Sequence, residues 1–386
     1  MPCLLGIAAW LACSLDPAFE SEPIFPAEPI HNHASCVVQL ADGSLLAAWY
    51  RGSGERTADD VQVLGARKAP GASEWSKPFL MADTPGYPDA NPALFSAPDG
   101  SLWLFWPTIL DHRWEGALLK FKRASDPGTA GPPSWDREGV FHVTPSGFAE
   151  AWAKAAEGVN RSSLKIDASN VALQKERSKD LLYQRLGWMP RVHPTVLPSG
   201  RWLMPLYSDT FSASIIAISD NQGETWTVST PLIGFGNIQP SLVSKKDGSV
   251  VAYMRENGPL RRIRVSTSKD HGETWSPVSS SDLPNPGAGI EALRLADGRW
   301  AMVYNDTTAG RHSLAVSLSS DEGQTWPITR HVERTAPGGG QFHYPSIIQD
   351  REGRIHLTYT HRVAGKSTIQ HARFPVEWVE QGDPQK

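Results

Sequence analysis

One motif, present six times, constrains what this chain can fold into more than any other feature. Each copy runs from a polar or small residue through proline or another short side chain into an apolar run. A glycine turn and a second apolar run follow. The copies are His33–Tyr50, Asn91–Trp106, His193–Tyr207, Gln239–Met254, Gly289–Tyr304 and Tyr344–Thr360. Their turns are Asp42-Gly43, Asp99-Gly100, Ser199-Gly200, Asp247-Gly248, Asp297-Gly298 and Glu352-Gly353. Glycine adopts positive φ without a steric penalty, so an acidic residue or serine followed by glycine between apolar runs is hairpin chemistry. Each copy therefore reads as the first two strands of a four-stranded blade. Six copies make the chain all-β, a six-bladed β-propeller.

Successive copies begin 58, 102, 46, 50 and 55 residues apart. A propeller blade needs about 40–50 residues, so only the second interval is long. Its excess, 148–186, lacks the hairpin signal. It carries Glu150-Ala151-Trp152-Ala153-Lys154-Ala155-Ala156-Glu157 and Ala172-Leu173-Gln174-Lys175-Glu176-Arg177, compositions that favour helix. It reads as a helical insertion over one face rather than a seventh blade. After Tyr344 about three strands' worth of chain remains. Completing one blade from both chain ends leaves less exposed sheet edge, so Ser21–Ile30 is expected to supply the outer strand of the last blade.

A second motif follows some copies. Ser268–Trp275 and Ser319–Trp326 read S-x-D-x-G-x-T-W, and Ser219–Trp226 has Asn221 at the acidic place. The Asx side chain is expected to pin a tight turn, with the tryptophan between blades. A calcium loop would need more carboxylates and a terminal bidentate glutamate.

A formal net charge of −4, with no long basic run, argues against nucleic acid as the partner. Cys3, Cys13 and Cys36 offer neither a disulfide framework nor zinc spacing. Residues 1–20 open on an apolar stretch ending in small residues. This reads as a signal peptide, or as a lipoprotein leader cleaved before Cys13 in Leu11-Ala12-Cys13, which implies a secreted or periplasmic protein, lipid-anchored in the second case. Residues 21–386 then form the propeller.

Asp-boxes on this blade grammar resemble the sialidase superfamily, specifically its sialidase-like BNR-repeat proteins. The resemblance covers nearly the whole chain outside the insertion. It implies a sugar carboxylate held by three arginines, an aspartate acid/base, a tyrosine nucleophile and a glutamate that assists the tyrosine. Carried over residue by residue, Arg255 and Arg311 match the second and third arginines, and Tyr344 matches the nucleophile. Asp60 or Asp59 is the acid/base. His33 stands where the first arginine belongs, and Gln239 where the assisting glutamate belongs. A histidine is a cation only below roughly pH 6.5, and a glutamine cannot accept the tyrosine proton.

The residues point to a site on their own account. Inner strands of a propeller converge on its axis, and their first positions here are His33, Asn91, His193, Gln239 and Tyr344, with Glu291 two residues into its strand. Polar groups gathered on an axis must be solvated or bind a ligand. Arg51, Glu55, Arg56, Asp59, Asp60 and Arg191 join them from nearby segments. Arginines in a pocket suit the carboxylate or sulfate of a sugar. Two routes remain open. Tyr344 attacks the anomeric carbon with Asp60 as acid and Glu291 as base, or Asp60 or Glu55 activates water directly. The leading function is an exo-acting glycosidase on a glycan ending in an acidic sugar, sialic acid first. The alternatives are a hydrolase or lyase on another acidic sugar, in the lyase case with His33 or His193 and Tyr344 as base and acid, and a carbohydrate-binding propeller without catalysis. None calls for a cofactor or a metal.

Overall fold

The computed structural model describes residues 18–158, 164 and 167–384. Six four-stranded antiparallel sheets follow one another along the chain. The first blade is His31–Gln39, Leu45–Gly52, Gln62–Lys68 and Phe79–Ala82. The sixth is Gln341–Gln349, Ile355–Val363 and Lys366–Phe374, completed by Glu20–Pro23 from the other end of the chain. The expected closure is therefore formed. Phe19, counted above with the leader, stacks on Trp378 at 4.6 Å and belongs to the propeller. Residues 1–17 lie outside the described chain. No helix among the described residues is long and apolar enough to cross a membrane.

All six glycine turns join the first two strands of a blade, and each glycine has φ between +85° and +91°. Counting from these glycines aligns the blades. Nine residues before the glycine stand Ala34, Asn91, Arg191, Gln239, Gly289 and Tyr344. Seven before it stand Cys36, Ala93, His193, Ser241, Glu291 and Ser346. Three inner strands bulge between these two positions, at His33/Cys36, Ile238/Ser241 and His343/Ser346. Ala34, Gln239 and Tyr344 consequently take φ near +55°, and Asn91 takes +42°.

The deeper set forms a ring that staples neighbouring blades. Cys36 Sγ accepts from Leu94 N at 3.2 Å, and Ser241 Oγ from Ala292 N at 2.9 Å. Glu291 Oε2 accepts from Ile347 N at 2.9 Å, and Ser346 Oγ from Val37 N at 3.1 Å, across the closure. In each case the donor stands one residue beyond the ring position of the next blade. Ala93 has no acceptor to offer, and the corresponding residue of its neighbour is Pro194, which has no N–H to satisfy.

The two rings correct the expected axial set. His33 is one residue before its ring position, which is Ala34. His193 and Glu291 belong one pleat deeper than Asn91, Gln239 and Tyr344. The expected set mixes three distances from the turn glycine, ten for His33, nine for Asn91, Gln239 and Tyr344, and seven for His193 and Glu291, and so draws on different levels of the axis.

The Asp-boxes do what their chemistry implies. Asp270 Oδ1 and Asp321 Oδ1 accept from the Thr274 and Thr325 amides at 2.8 and 2.9 Å, and Asn221 Oδ1 accepts from Thr225 N at 2.9 Å. Trp226 lies 4.9 Å from Phe141 of the preceding blade, ring centre to ring centre. Gly223 lets this turn close on Trp202 of its own blade and Trp103 of the preceding one, where an added Cβ would sit 3.0 Å and 3.1 Å away.

The insertion is helical as expected, with helices at Phe148–Gly158, Ala168–Arg177 and Leu181–Arg185. Phe148 meets Phe211 at 4.7 Å and Trp152 meets Phe235 at 5.5 Å. It is thereby fixed to loops of the third and fourth blades.

Candidate active site

A cavity of about 390 Å³ opens on the axis above Tyr344. That is near the small end of ligand pockets, roughly 300–1,000 Å³, and suits one sugar ring. Two positions of the second strand supply much of its wall. Seven residues after the turn glycine stand Tyr207, Arg255 and Thr360, and nine after it stand Asp209, Asn257 and Arg362. Side chains two apart on a strand share a face, so one register delivers both. His31, His33 and His343 come from the starts of inner strands, Glu55 and Trp114 from loops.

Tyr344 is the hub. Its Oη accepts from Arg255 Nη1 at 2.7 Å and from Gln239 Nε2 at 3.1 Å. The guanidinium carbons of Arg191, Arg311 and Arg255 lie 4.8, 5.5 and 5.9 Å from its ring centre. Arg191 is fully buried and donates to the Ser35 and Pro345 carbonyls at 3.2 and 2.9 Å. Arg311 donates to the Gly287 carbonyl at 2.8 Å, and Arg255 also reaches Asn257 Oδ1 at 3.2 Å. None of the three is ion-paired to a carboxylate among the described residues. Elsewhere Arg201 and Arg264 hold Asp220 and Glu256 at 2.7 and 2.9 Å. A partly desolvated guanidinium without a counter-ion is a seat for an anion.

Two carboxyl groups share the cavity with them. Asp209 makes no side-chain hydrogen bond among the described residues. Burial raises its pKa to about 6 against the opposing pull of Arg255. Glu55 Oε1 accepts from Tyr50 Oη at 3.0 Å. Burial disfavours charge on the imidazoles of His31, His33 and His343. Burial, then His343, His31 and two arginines, hold His33 well below the ordinary range, and burial does the same to His343. His33 therefore cannot replace the missing arginine as a cation. It donates or accepts through Nδ1 at Thr360 Oγ1, 2.9 Å away, and its ring lies 4.2 Å from that of Tyr344.

His193, Glu291, Asp60, Asp59, Gln239 and Arg191, all expected at the site, lie outside the cavity lining. His193 and Glu291 form a largely buried pair beneath the cavity, Nδ1 to Oε1 at 2.6 Å, and the other ring nitrogen lies 2.8 Å from the Val37 carbonyl. Burial opposes charge on His193, but Cys36 and Glu291 outweigh it and hold its pKa well above normal. Glu291 is thus occupied as a counter-ion and is not free to act as a base on Tyr344. Asp60 is exposed and ties its own loop, accepting from Ser53 N at 3.0 Å and Ser53 Oγ at 2.9 Å. Asp59 faces His112 at 2.6 Å. Neither lines the cavity. Asn91 does, with Nδ2 donating to Tyr207 Oη at 3.3 Å. Gln239 and Arg191 lie directly behind Tyr344.

Residues 43–155 and 186–357, more than half of the chain, match the family described as BNR repeat-like domain. The chain belongs to that family. The match breaks where the helical insertion stands. Among curated relatives, this sialidase-like BNR-repeat protein is 26% identical over 243 residues to an anhydrosialidase of Macrobdella decora. That alignment covers 58% of this chain and 31% of the relative, so the BNR-repeat chain spans about a third of the relative's length. Among solved structures it resembles a Dyadobacter fermentans protein of unknown function, with a TM-score of 0.69 at 18% identity, covering 92% of this chain and 98% of the other. It also resembles the Hadza microbial sialidase Hz136, with a TM-score of 0.67 at 15% identity, covering 90% and 66%. At these identities the structures establish the shared fold.

Of the residues matched to the sialidase pattern, this BNR-repeat protein brings Arg255, Arg311, Tyr344 and His33 into one cavity, with Glu55 in the wall. Asp209, Tyr207, His343 and Arg362 were not anticipated. The count of seven and nine residues after each turn glycine would have found three of the four.

Proposed function

We propose that the protein is an exo-acting glycoside hydrolase that removes a terminal acidic sugar, sialic acid first, from a glycan. The observation that carries this reading is the pair Arg255 and Arg311, without carboxylate partners, flanking Tyr344 in a cavity that also holds Asp209 and Glu55. The sugar carboxylate lies against the two guanidinium groups. Asp209, with its pKa near 6, passes its proton to the leaving oxygen as that bond breaks. Tyr344 Oη bonds to the anomeric carbon as its own proton passes through a water to Glu55, which lines the same cavity, and a second water then releases the sugar with the anomer retained. Such glycans are met outside the cytoplasm.

One observation favours a second reading of the chemistry. Arg255 and Gln239 both donate to Tyr344 Oη, and no carboxylate among the described residues touches it. In that reading Glu55 takes a proton from the attacking water, Asp209 again protonates the leaving group, and the anomer inverts. Tyr344 then only faces the charge that develops on the ring.

The test is release of a fluorescent alcohol from an aryl α-sialoside between pH 4 and 8, with the first product's anomer read by proton NMR. Turnover lost in Tyr344→Phe with a retained anomer supports the covalent route. Turnover largely kept with an inverted anomer supports the water route. No turnover by wild type on sialosides or on aryl uronides would overturn the hydrolase reading, and glycan binding without turnover would make the protein a lectin.

A further inference from the structure

A second depression, of about 650 Å³, opens beside the central cavity and shares Arg311, Gln341 and Arg362 with it. Its walls are three loops of the same face: 309–312 in the fifth blade, the Pro337-Gly338-Gly339-Gly340 run that enters the sixth blade, and the turn 363–365. Arg311, His312 and Arg362 line it, and none of its lining residues is acidic. The Arg362 guanidinium has no hydrogen bond or ion pair among the described residues, whereas nearby Arg334 is held by Asp383 at 3.3 Å. The glycine run keeps one wall free of side chains. Gly338 has φ +87°, and a Cβ on Gly340 would meet the Phe342 ring at 2.6 Å, so the bare backbone is built into the loop.

We infer that this groove is a subsite for a second anionic group, carried by the sugar next to the one in the central cavity. Arg311 and Arg362 stand at the junction of the two spaces. With Arg311 engaged by the first carboxylate, a carboxylate or sulfate on the neighbouring unit meets the unpaired Arg362 guanidinium without an acidic residue among the groove's lining to repel it. The substrate class is then a glycan ending in two consecutive acidic units, rather than an acidic cap on a neutral sugar. This inference rests on the hydrolase reading for its catalytic readout, but not for its binding readout.

The probes are a disaccharide of two linked acidic sugars, its methyl ester at the second carboxylate, and an analogue whose second unit is neutral but sulfated. The variant is Ala364→Asp. Ala364 lines the groove and not the central cavity, at a hairpin turn with φ +50° that aspartate tolerates. Wild type is expected to cleave the diacid with kcat/KM about tenfold above the ester. Ala364→Asp is expected to abolish that preference while aryl sialoside turnover stays within about twofold. A preference extending to the sulfated analogue assigns sulfate as the recognised group, and one confined to the diacid assigns carboxylate. Equal kcat/KM on diacid and ester in wild type overturns the subsite. If no substrate turns over, the hydrolase reading has failed and calorimetry decides the groove alone. Tighter binding of the diacid than of the ester, lost in Ala364→Asp, supports it, and equal affinities overturn it.

Discussion

Arg255 donates from Nη1 to Tyr344 Oη across 2.7 Å, while its buried Nε has no hydrogen-bond partner. One side chain thus orients the tyrosine and keeps capacity for an anion. Arg255→Lys keeps one charge and loses the fork. It should raise KM for an aryl α-sialoside by about tenfold or more, with a smaller effect on kcat. Arg255→Ala should lower kcat as well, because Tyr344 also loses its donor. Steady-state kinetics on the two variants check the split.

Among the described residues Arg311 donates only to the Gly287 carbonyl and does not touch Tyr344 Oη. Arg311→Ala should therefore act on KM, by about 10–100-fold, with kcat preserved. A loss confined to kcat would remove Arg311 from substrate binding.

Asp209 couples activity to stability through pH. Its folded pKa is raised from 3.8 to about 6. The folded state therefore binds more protons than the unfolded state between those values, and stability falls as pH rises through that window. Asp209→Asn should melt higher than wild type at pH 7–8, with the difference vanishing below about pH 4. The same variant should lose the fall of kcat/KM above about pH 6 that marks a general acid, at a cost of about 10²–10⁴ in rate. Melting curves and pH–rate profiles test the two halves independently.

His193 and Glu291 are a buried ion pair inside the deeper ring. Glu291→Ala strips His193 of its counter-ion and the Ile347 amide of its acceptor. It should destabilise the fold by about 3–5 kcal/mol in urea titrations.

The Asp-box turns differ in chemistry but not in geometry. Asn221 Oδ1 and Asp270 Oδ1 both accept from a threonine amide, at 2.9 and 2.8 Å. Asn221→Asp should change stability by less than about 0.5 kcal/mol, and Asp270→Ala should cost about 1–2 kcal/mol, both read by chemical denaturation.

The blades were legible because glycine turns and apolar alternation are local, and six copies reinforce one another. The axial assignment was legible only in part. His193 and Glu291 stand seven rather than nine residues before their turn glycines, one pleat below Tyr344, so they read as cavity residues although they lie below it. Arg255 and Arg311 were found through the family resemblance, and Tyr344 through both the resemblance and its place at the start of an inner strand. Asp209 was missed because nothing in Tyr207-Ser208-Asp209 distinguishes a strand end that faces the axis from one that faces solvent. Only superposing the six turn glycines does so. Asp60 was chosen for its loop, and Ser53 turns its carboxylate away.

The seam between the first and sixth blades is fastened at two radii. Glu20–Pro23 clasps it at the perimeter, and Ser346 Oγ holds Val37 N beside the axis. A breach at the rim is therefore separated from the hub by an intact fastening. Proteolytic loss of the outer strand should fray the sixth blade's edge first, leaving Tyr344 and its arginines in place until the inner clasp gives way.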